Sequence, residues 1–246
     1  MASIERDRIT VGDLTAHVAR PVGAPPGAGM LLLPMVTGIG RQMRAYADEV
    51  AAVGVTSVVW DPWHGHSDED LPLRELMERM GGLVDAEVRA EQRRLLDHMF
   101  GRMGLSRVGV MGWCMGGRFA LLLAAHDHRV ANCVAYHPSV FAEPAPNQTE
   151  DAVALAERIA APVGVVYPGA DHLVPREVIE ALSASLLRRG AASTLLSVHP
   201  GAEHGFMDAS RQEREPNRVA RRDSWPAMLA LVRATLEVGA PVPAPR

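Results

Sequence analysis

Arg107-Val-Gly-Val-Met-Gly-Trp-Cys114-Met-Gly-Gly-Arg-Phe-Ala-Leu-Leu-Leu-Ala-Ala125 is the stretch that decides the fold. Arg107 to Met111 reads as a short buried strand, and Arg118 to Ala125 as an apolar helix. Between them, Gly112-Trp113-Cys114-Met115-Gly116-Gly117 leaves no room for a loop, so the strand has to turn sharply into the helix. A turn this tight strains the backbone of its central residue, and the residues two places to either side must lack side chains. Gly112 and Gly116 meet that requirement. Cys114 is thereby set at the C-terminal edge of a sheet and at the N-terminus of a helix. The helix dipole and its free N–H groups favour a negative charge there, which lowers a thiol's pKa. The Met115 N–H points to where the oxygen of a tetrahedral intermediate would develop. The plainer alternative is a structural cysteine in a glycine-rich turn. The chain's second cysteine, Cys133, lies inside the apolar run Val130 to Tyr136 with no such turn and reads as core.

Working outward, strands and helices alternate. Arg8 to Val11 and Leu14 to Arg20 read as strands around Gly12-Asp13, followed by a Pro/Gly loop from Pro21 to Gly29. Met30 to Pro34, Thr56 to Trp60, Val130 to Tyr136, Val163 to Tyr167 and Thr194 to His199 are further short strands. Helical spacing covers Gln42 to Val53, most of Glu69 to Gly104 with a break at Gly81-Gly82, Glu150 to Ala160, Glu177 to Arg189, and Trp225 to Val238. This alternation implies an α/β chain, a mostly parallel sheet with helices on both faces. A single domain over residues 1–246 is expected, with 239–246 as a loose Pro-rich tail.

A nucleophile on such a turn needs a histidine base and a carboxylate to orient it, in the chain order nucleophile, acid, histidine. Asp171 follows the strand ending at Tyr167, and His204 follows the strand ending at His199, both at the edge where Cys114 stands. His172 and His199 are the nearest rivals to His204. His172 adjoins the acid, whereas His199 is still on its strand. Of the other histidines, His126 and His128 end a helix, His17 lies in an early strand, and His98 has no identifiable partner. His64 and His66, with Asp61 or Asp68, form the only arrangement reminiscent of a metal site, and no further Cys or His stands at ligand spacing. His137 is placed at the border of the site.

The 246 residues are 48% hydrophobic and 22% charged, with a net charge of −4. No basic run offers a nucleic-acid track, since the arginines of Arg211 to Arg222 alternate with Glu213 and Glu215. No apolar stretch approaches the roughly 20 residues needed to span a bilayer. The charged start lacks a signal peptide's apolar segment, so a cytoplasmic location is expected. There the two cysteines are expected to stay reduced.

Gly-Trp-Cys114-Met-Gly-Gly, Asp171-His-Leu-Val-Pro and Gly-Ala-Glu-His204-Gly-Phe together resemble the dienelactone hydrolase (carboxymethylenebutenolidase) family of α/β-hydrolases. The cysteine is the specific part, because most α/β-hydrolases carry serine at that place. The resemblance runs from the strand near Met30 to the last helix. It implies an eight-stranded sheet, no metal or organic cofactor, and hydrolysis through an acyl-cysteine. It also implies a second oxyanion-binding N–H at Val36. Two departures stand out. Met35 occupies the place of a glutamate that takes part in activating the thiol. Asp208 lies where a substrate-binding arginine follows the histidine, although Arg74 or Arg79 is a candidate for another such arginine. The scaffold and triad carry over, but the dienelactone substrate does not follow.

The expected chemistry is cleavage of a small-molecule lactone, ester or thioester by Cys114, His204 and Asp171, with Met115 and Val36 binding the oxyanion. Met35, Trp63, Trp113 and Met115 are expected to cluster as an apolar wall near Cys114, and His137 and Phe206 to lie beside it. The alternative for these side chains is ordinary packing. The same residues could also serve cyclisation or isomerisation of a biosynthetic intermediate, or the scaffold could bind a ligand without catalysis. No nucleic acid or membrane partner is implied, and the chain is expected to be a monomer or homodimer.

Overall fold

The computed structural model describes residues 3–23, 27–190 and 192–238. The expected tail at 239–246 lies outside them. Eight strands form one sheet: β1 (Ile4–Val11), β2 (Leu14–Pro21), β3 (Ala28–Leu33), β4 (Thr56–Trp60), β5 (Arg107–Trp113), β6 (Val130–Tyr136), β7 (Val163–Pro168) and β8 (Thr194–His199). Their order across the sheet is β1-β2-β4-β3-β5-β6-β7-β8. The β1–β2 hairpin and the β2–β4 pair are antiparallel, and every other pairing is parallel. This is the α/β-hydrolase arrangement that the sequence led us to expect.

The helices are α1 (Arg41–Ala52), α2 (Leu73–Met80), α3 (Asp85–Gly101), α4 (Met115–His126), α5 (Ala152–Leu155), α6 (Arg176–Leu187) and α7 (Glu215–Thr235). Side chains alternate across each strand, so the sheet builds two cores. Leu31, Leu33, Val108, Val110, Cys133, Ala135 and Val165 face α2 to α6. Met30, Leu32, Met111, Trp113, Val134, Tyr136 and Val166 face α1 and α7.

Several elements differ from their expected extents. Helix α7 begins at Glu215, not Trp225, because Pro216 presets its first turn and Asn217, Ala220 and Ser224 are buried. The internal Pro226 is accommodated within the helix. Between Glu150 and Ala160 there is only α5 and a 3₁₀ turn, started by Asp151, whose carboxylate accepts from the N–H groups of Val153 and Ala154. Strand β5 continues through Trp113 and α4 starts at Met115, so Cys114 alone makes the turn.

Helix α4 is anchored by a buried ion pair one turn beyond Cys114. Arg118 holds the carboxylate of Asp85, at the start of α3, with Nη2–Oδ2 at 2.9 Å, and it also donates to the Glu150 carbonyl at 2.8 Å. The N–H of Glu150 returns a bond to Asp85 at 2.9 Å. Burial pushes the Asp85 pKa up, but Arg118 and the backbone donors outweigh it and leave the carboxyl below its ordinary value. Asp85→Ala strands the Arg118 charge and should cost about 3–5 kcal/mol of stability at neutral pH. A depressed acid contributes stability that is present above its unfolded pKa and is lost as pH falls through the folded one. The gap between wild type and variant in chemical denaturation should therefore persist down to about pH 4 and close only below it.

Candidate active site

Cys114 sits at φ 54° and ψ −117°, a conformation that L-residues rarely adopt. Its neighbours make this possible. A Cβ on Gly112 would run into the backbone of Gly116, and one on Gly116 would run into the carbonyls of Leu33 and Pro34. The turn is thus pressed against the end of β3, which brings the loop carrying Met35 and Val36 beside it. From the other side, Cys114 N–H donates to the Tyr136 carbonyl at 3.0 Å, and its carbonyl accepts from Ser139 N–H at 3.0 Å. The ends of β5 and β6 are laced together around the cysteine.

The loops after β7 and β8 bring Asp171 and His204 together. Gly169 N–H donates to the His199 carbonyl at 2.8 Å and Ala170 N–H to the Ala202 carbonyl at 2.9 Å. The Asp171 side chain is wholly buried. Its Oδ1 accepts from the N–H groups of Leu173 and Val174 at 2.8 and 3.1 Å, and its Oδ2 meets His204 Nδ1 at 2.8 Å. His204 Nε2 is the ring nitrogen left for Cys114. The two groups are near enough to shift each other's protonation, although Nε2 makes no protein hydrogen bond in good geometry. The Cys114 sulfur instead makes its hydrogen bond to Ser139 Oγ, at 3.1 Å.

The electrostatics favour a thiolate–imidazolium pair. Burial pushes the Cys114 thiol up, but His204, the Ser139 hydroxyl and the Met115 N–H together bring it below the ordinary thiol value. Burial alone would lower the His204 pKa, yet Asp171 and the sulfur raise it to about 9. Cys133, buried with no such partners, is pushed up to about 12.

His137 lies fully buried at the end of β6, at φ 34°, with its ring centroid 4.7 Å from that of His204. Neither of its ring nitrogens has a protein partner, and burial beside His204 drives its pKa down. His137 is therefore a neutral aromatic support. Phe206 backs it at 5.8 Å and is itself fully buried.

The expected apolar wall forms only in part. Trp113 shares the parity of Met111, so its ring faces α1 and α7, stacked on Tyr46 at 4.9 Å and Tyr136 at 5.9 Å. Trp63 is also buried, and its Nε1 donates to the Val36 carbonyl at 2.8 Å, fixing the loop after β3 from behind. The side chain of Met115 packs into the core under α4, whereas Met35 and Val36 stay partly exposed. His172 is exposed, and no hydrogen bond joins it to the Asp171–His204 pair. Arg74 and Arg79 pair with Glu78 and Glu75 on their own exposed helix, at 3.5 and 2.9 Å. Asp208 caps a 3₁₀ turn through Ser210. Among the described residues no group of three or more His, Cys, Asp or Glu side chains is placed to hold a metal. Asp61, in the His64/His66 loop, instead accepts from the N–H groups of Trp63 and Gly65 and from Thr15.

Ser139 is the site residue that the sequence reading missed. The signal was indirect: β6 pairs with β5 in a register that sets Tyr136 opposite Trp113, so the residues just after Tyr136 must pass Cys114.

Comparison with known proteins agrees with the fold. The sequence profile of the dienelactone hydrolase family matches residues 14–236. The chain is 25% identical over 240 residues to a carboxymethylenebutenolidase of Rhodococcus opacus, covering 96% of this chain and 93% of that one. A crystal structure from Klebsiella pneumoniae superposes with a TM-score of 0.83 at 22% identity, covering 94% of this chain and 98% of the other. A dienelactone hydrolase-like promiscuous phosphotriesterase from metagenomic libraries gives 0.75 at 22%, covering 96% and 99%. With nearly its whole folded length matched by the family's profile, this chain belongs to the dienelactone hydrolase family.

Proposed function

We propose that the protein hydrolyses small lactones, esters or thioesters through an acyl-cysteine formed on Cys114. The observation that carries this reading is the 2.8 Å bond between Asp171 and His204 Nδ1, which leaves Nε2 for the sulfur of a strained, glycine-flanked cysteine. The Cys114 thiolate attacks the carbonyl carbon, and the carbonyl oxygen takes the charge. The N–H groups of Met115 and Val36 receive it, and neither donates to another backbone carbonyl across the turns and loops. As the intermediate collapses, His204 gives its Nε2 proton to the departing alkoxide, leaving a thioester. His204 then takes a proton from water, which attacks the thioester and expels the thiolate. Asp171 holds the imidazole in the tautomer that these transfers need.

The surroundings favour neutral, apolar acyl groups. Beside α4 lies a cavity of about 340 Å³, within the usual size range of ligand sites. Arg118 and Val140 on its wall are near neighbours in sequence of Cys114 and Ser139, while Cys114, His204 and Asp171 do not line it. Val140, Phe141 and Val178 line it, and its charged residues are Glu150, Asp151, Glu177 and Arg118. Arg118 is already neutralised by Asp85. A substrate carboxylate would meet acids there and no free cation among the described residues.

Iodoacetamide at pH 7 should label Cys114 and leave Cys133 unmodified. Cys114→Ala should abolish ester turnover while the circular dichroism spectrum is unchanged. Substantial activity in that variant, or labelling of Cys133 first, would refute the acyl-cysteine. His204→Ala should lower kcat on the order of 10²–10⁴-fold. Asp171→Asn should also be severe, and His172→Ala nearly silent; a His172 variant as damaged as the His204 variant would transfer the base role. Turnover in wild type should decline as pH rises through about 9, where His204 loses the proton it must donate. For a carboxylated dienelactone and its methyl ester, kcat/KM should favour the ester, by a margin that narrows as salt rises. A preference for the free acid would mean that a cation reaches the substrate.

A further inference from the structure

Ser139 is buried, and its position is fixed on two sides. Its N–H donates to the Cys114 carbonyl at 3.0 Å, and its Oγ lies 3.1 Å from the Cys114 sulfur. Because the backbone bond ties residue 139 to the turn itself, its Cα stays beside the sulfur, and the χ1 rotamer it adopts sets the hydroxyl on it. A serine hydroxyl has one proton to donate. Toward a thiol either atom can be the donor, but toward a thiolate only the hydroxyl can.

The other groups around the sulfur leave room for such a donor. His204 comes from the loop after β8, but its Nε2 is out of good hydrogen-bond geometry. Asp171 stands behind His204 and faces its far nitrogen. His137, at the end of β6, packs on His204 as a neutral ring. On α4 the Met115 N–H approaches the sulfur, and the next charged side chain, Arg118, is bound to Asp85. The loop after β3 carries Met35, Val36 and Thr37, none of which bears a charge. Ser139 Oγ is thus the one side-chain donor in hydrogen-bonding geometry to the sulfur among the described residues.

We propose that Ser139 is a positioning residue for the nucleophile: its Oγ–H donates to the Cys114 sulfur, helps His204 hold it as a thiolate in the free enzyme and keeps it just off the line to His204. The proposal rests on Cys114 being the nucleophile. On attack, the sulfur's electron pair becomes the bond to carbon, the charge moves to the carbonyl oxygen, and the Ser139 bond is given up. When the acyl-enzyme is hydrolysed and the thiolate re-forms, the bond returns. Ser139 gains and loses no proton in the cycle.

The test is the pH dependence of Cys114 alkylation by iodoacetamide, in wild type, Ser139→Ala and Ser139→Thr, beside kcat and KM for a p-nitrophenyl ester. The alanine variant keeps the backbone bond, and an unchanged near-ultraviolet circular dichroism spectrum will verify its fold. Its alkylation midpoint should move up by about one pH unit, a tenfold smaller thiolate fraction on the rising limb. Relative to wild type at the same pH, the ester kcat should fall in parallel at low pH and draw level as pH rises, with KM little changed. The threonine variant, which retains a hydroxyl, should return the midpoint toward wild type. A Ser139→Ala midpoint equal to that of wild type would overturn the proposal, as would a downward shift. The two readings fail separately. Activity in Cys114→Ala removes the acyl-cysteine itself, whereas an inactive Cys114→Ala with an unmoved Ser139→Ala midpoint removes only the role of Ser139.

Discussion

Everything at the site depends on one backbone constraint, the left-handed conformation of Cys114. A residue at φ 54° between a strand and a helix survives only where the surrounding backbone leaves no alternative. The closeness of Gly112 to Gly116, and of Gly116 to the end of β3, provides that enclosure. The same closeness sets the Val36 loop and the N-terminus of α4 around one point. Trp63 braces the loop from behind, and the Arg118–Asp85 pair holds the helix.

On this rigid turn the electrostatics form a chain. Asp171 is buried and fully engaged, by two backbone donors and by His204. That arrangement raises the His204 pKa to about 9, and the cationic ring in turn lowers that of the thiol. Burial opposes the charged form of both partners, so the pair can hold its charges only jointly. The contrast with Cys133 isolates the cause. The two thiols shift in opposite directions because Cys114, on the turn, faces a cation and a hydroxyl, whereas Cys133, inside β6, is buried in the core with only the distant charge of Arg189 to offset the burial.

The proposed preference for neutral acyl groups rests on groups that have been neutralised. Arg118, the arginine of the cavity beside α4, is committed to Asp85, while Arg74 and Arg79 are committed to glutamates on their own helix. Membership in the dienelactone hydrolase family gives the scaffold and the order of its parts. The charges at the cavity belong to this chain.

The sequence by itself determined the strand–turn–helix at Cys114, the alternation that makes the sheet parallel, and the order of Cys114, Asp171 and His204. Strands β4, β6 and β8 have the ends that hydrophobic patterning assigned to them. These are local properties: a glycine spacing, a period of two, a loop after a strand. Only the tertiary structure decided which face Trp113 occupies, since parity says that neighbours part but not which core each one enters. It decided that α7 starts ten residues before Trp225, because burial of Asn217, Ala220 and Ser224 depends on where the sheet lies. It turned Trp63 from an expected pocket wall into a brace for Val36. And it brought Ser139 to the sulfur, through a pairing of β5 with β6 that no local pattern encodes: a hydrogen bond between residues far apart in the chain exists only once two strands have found their register.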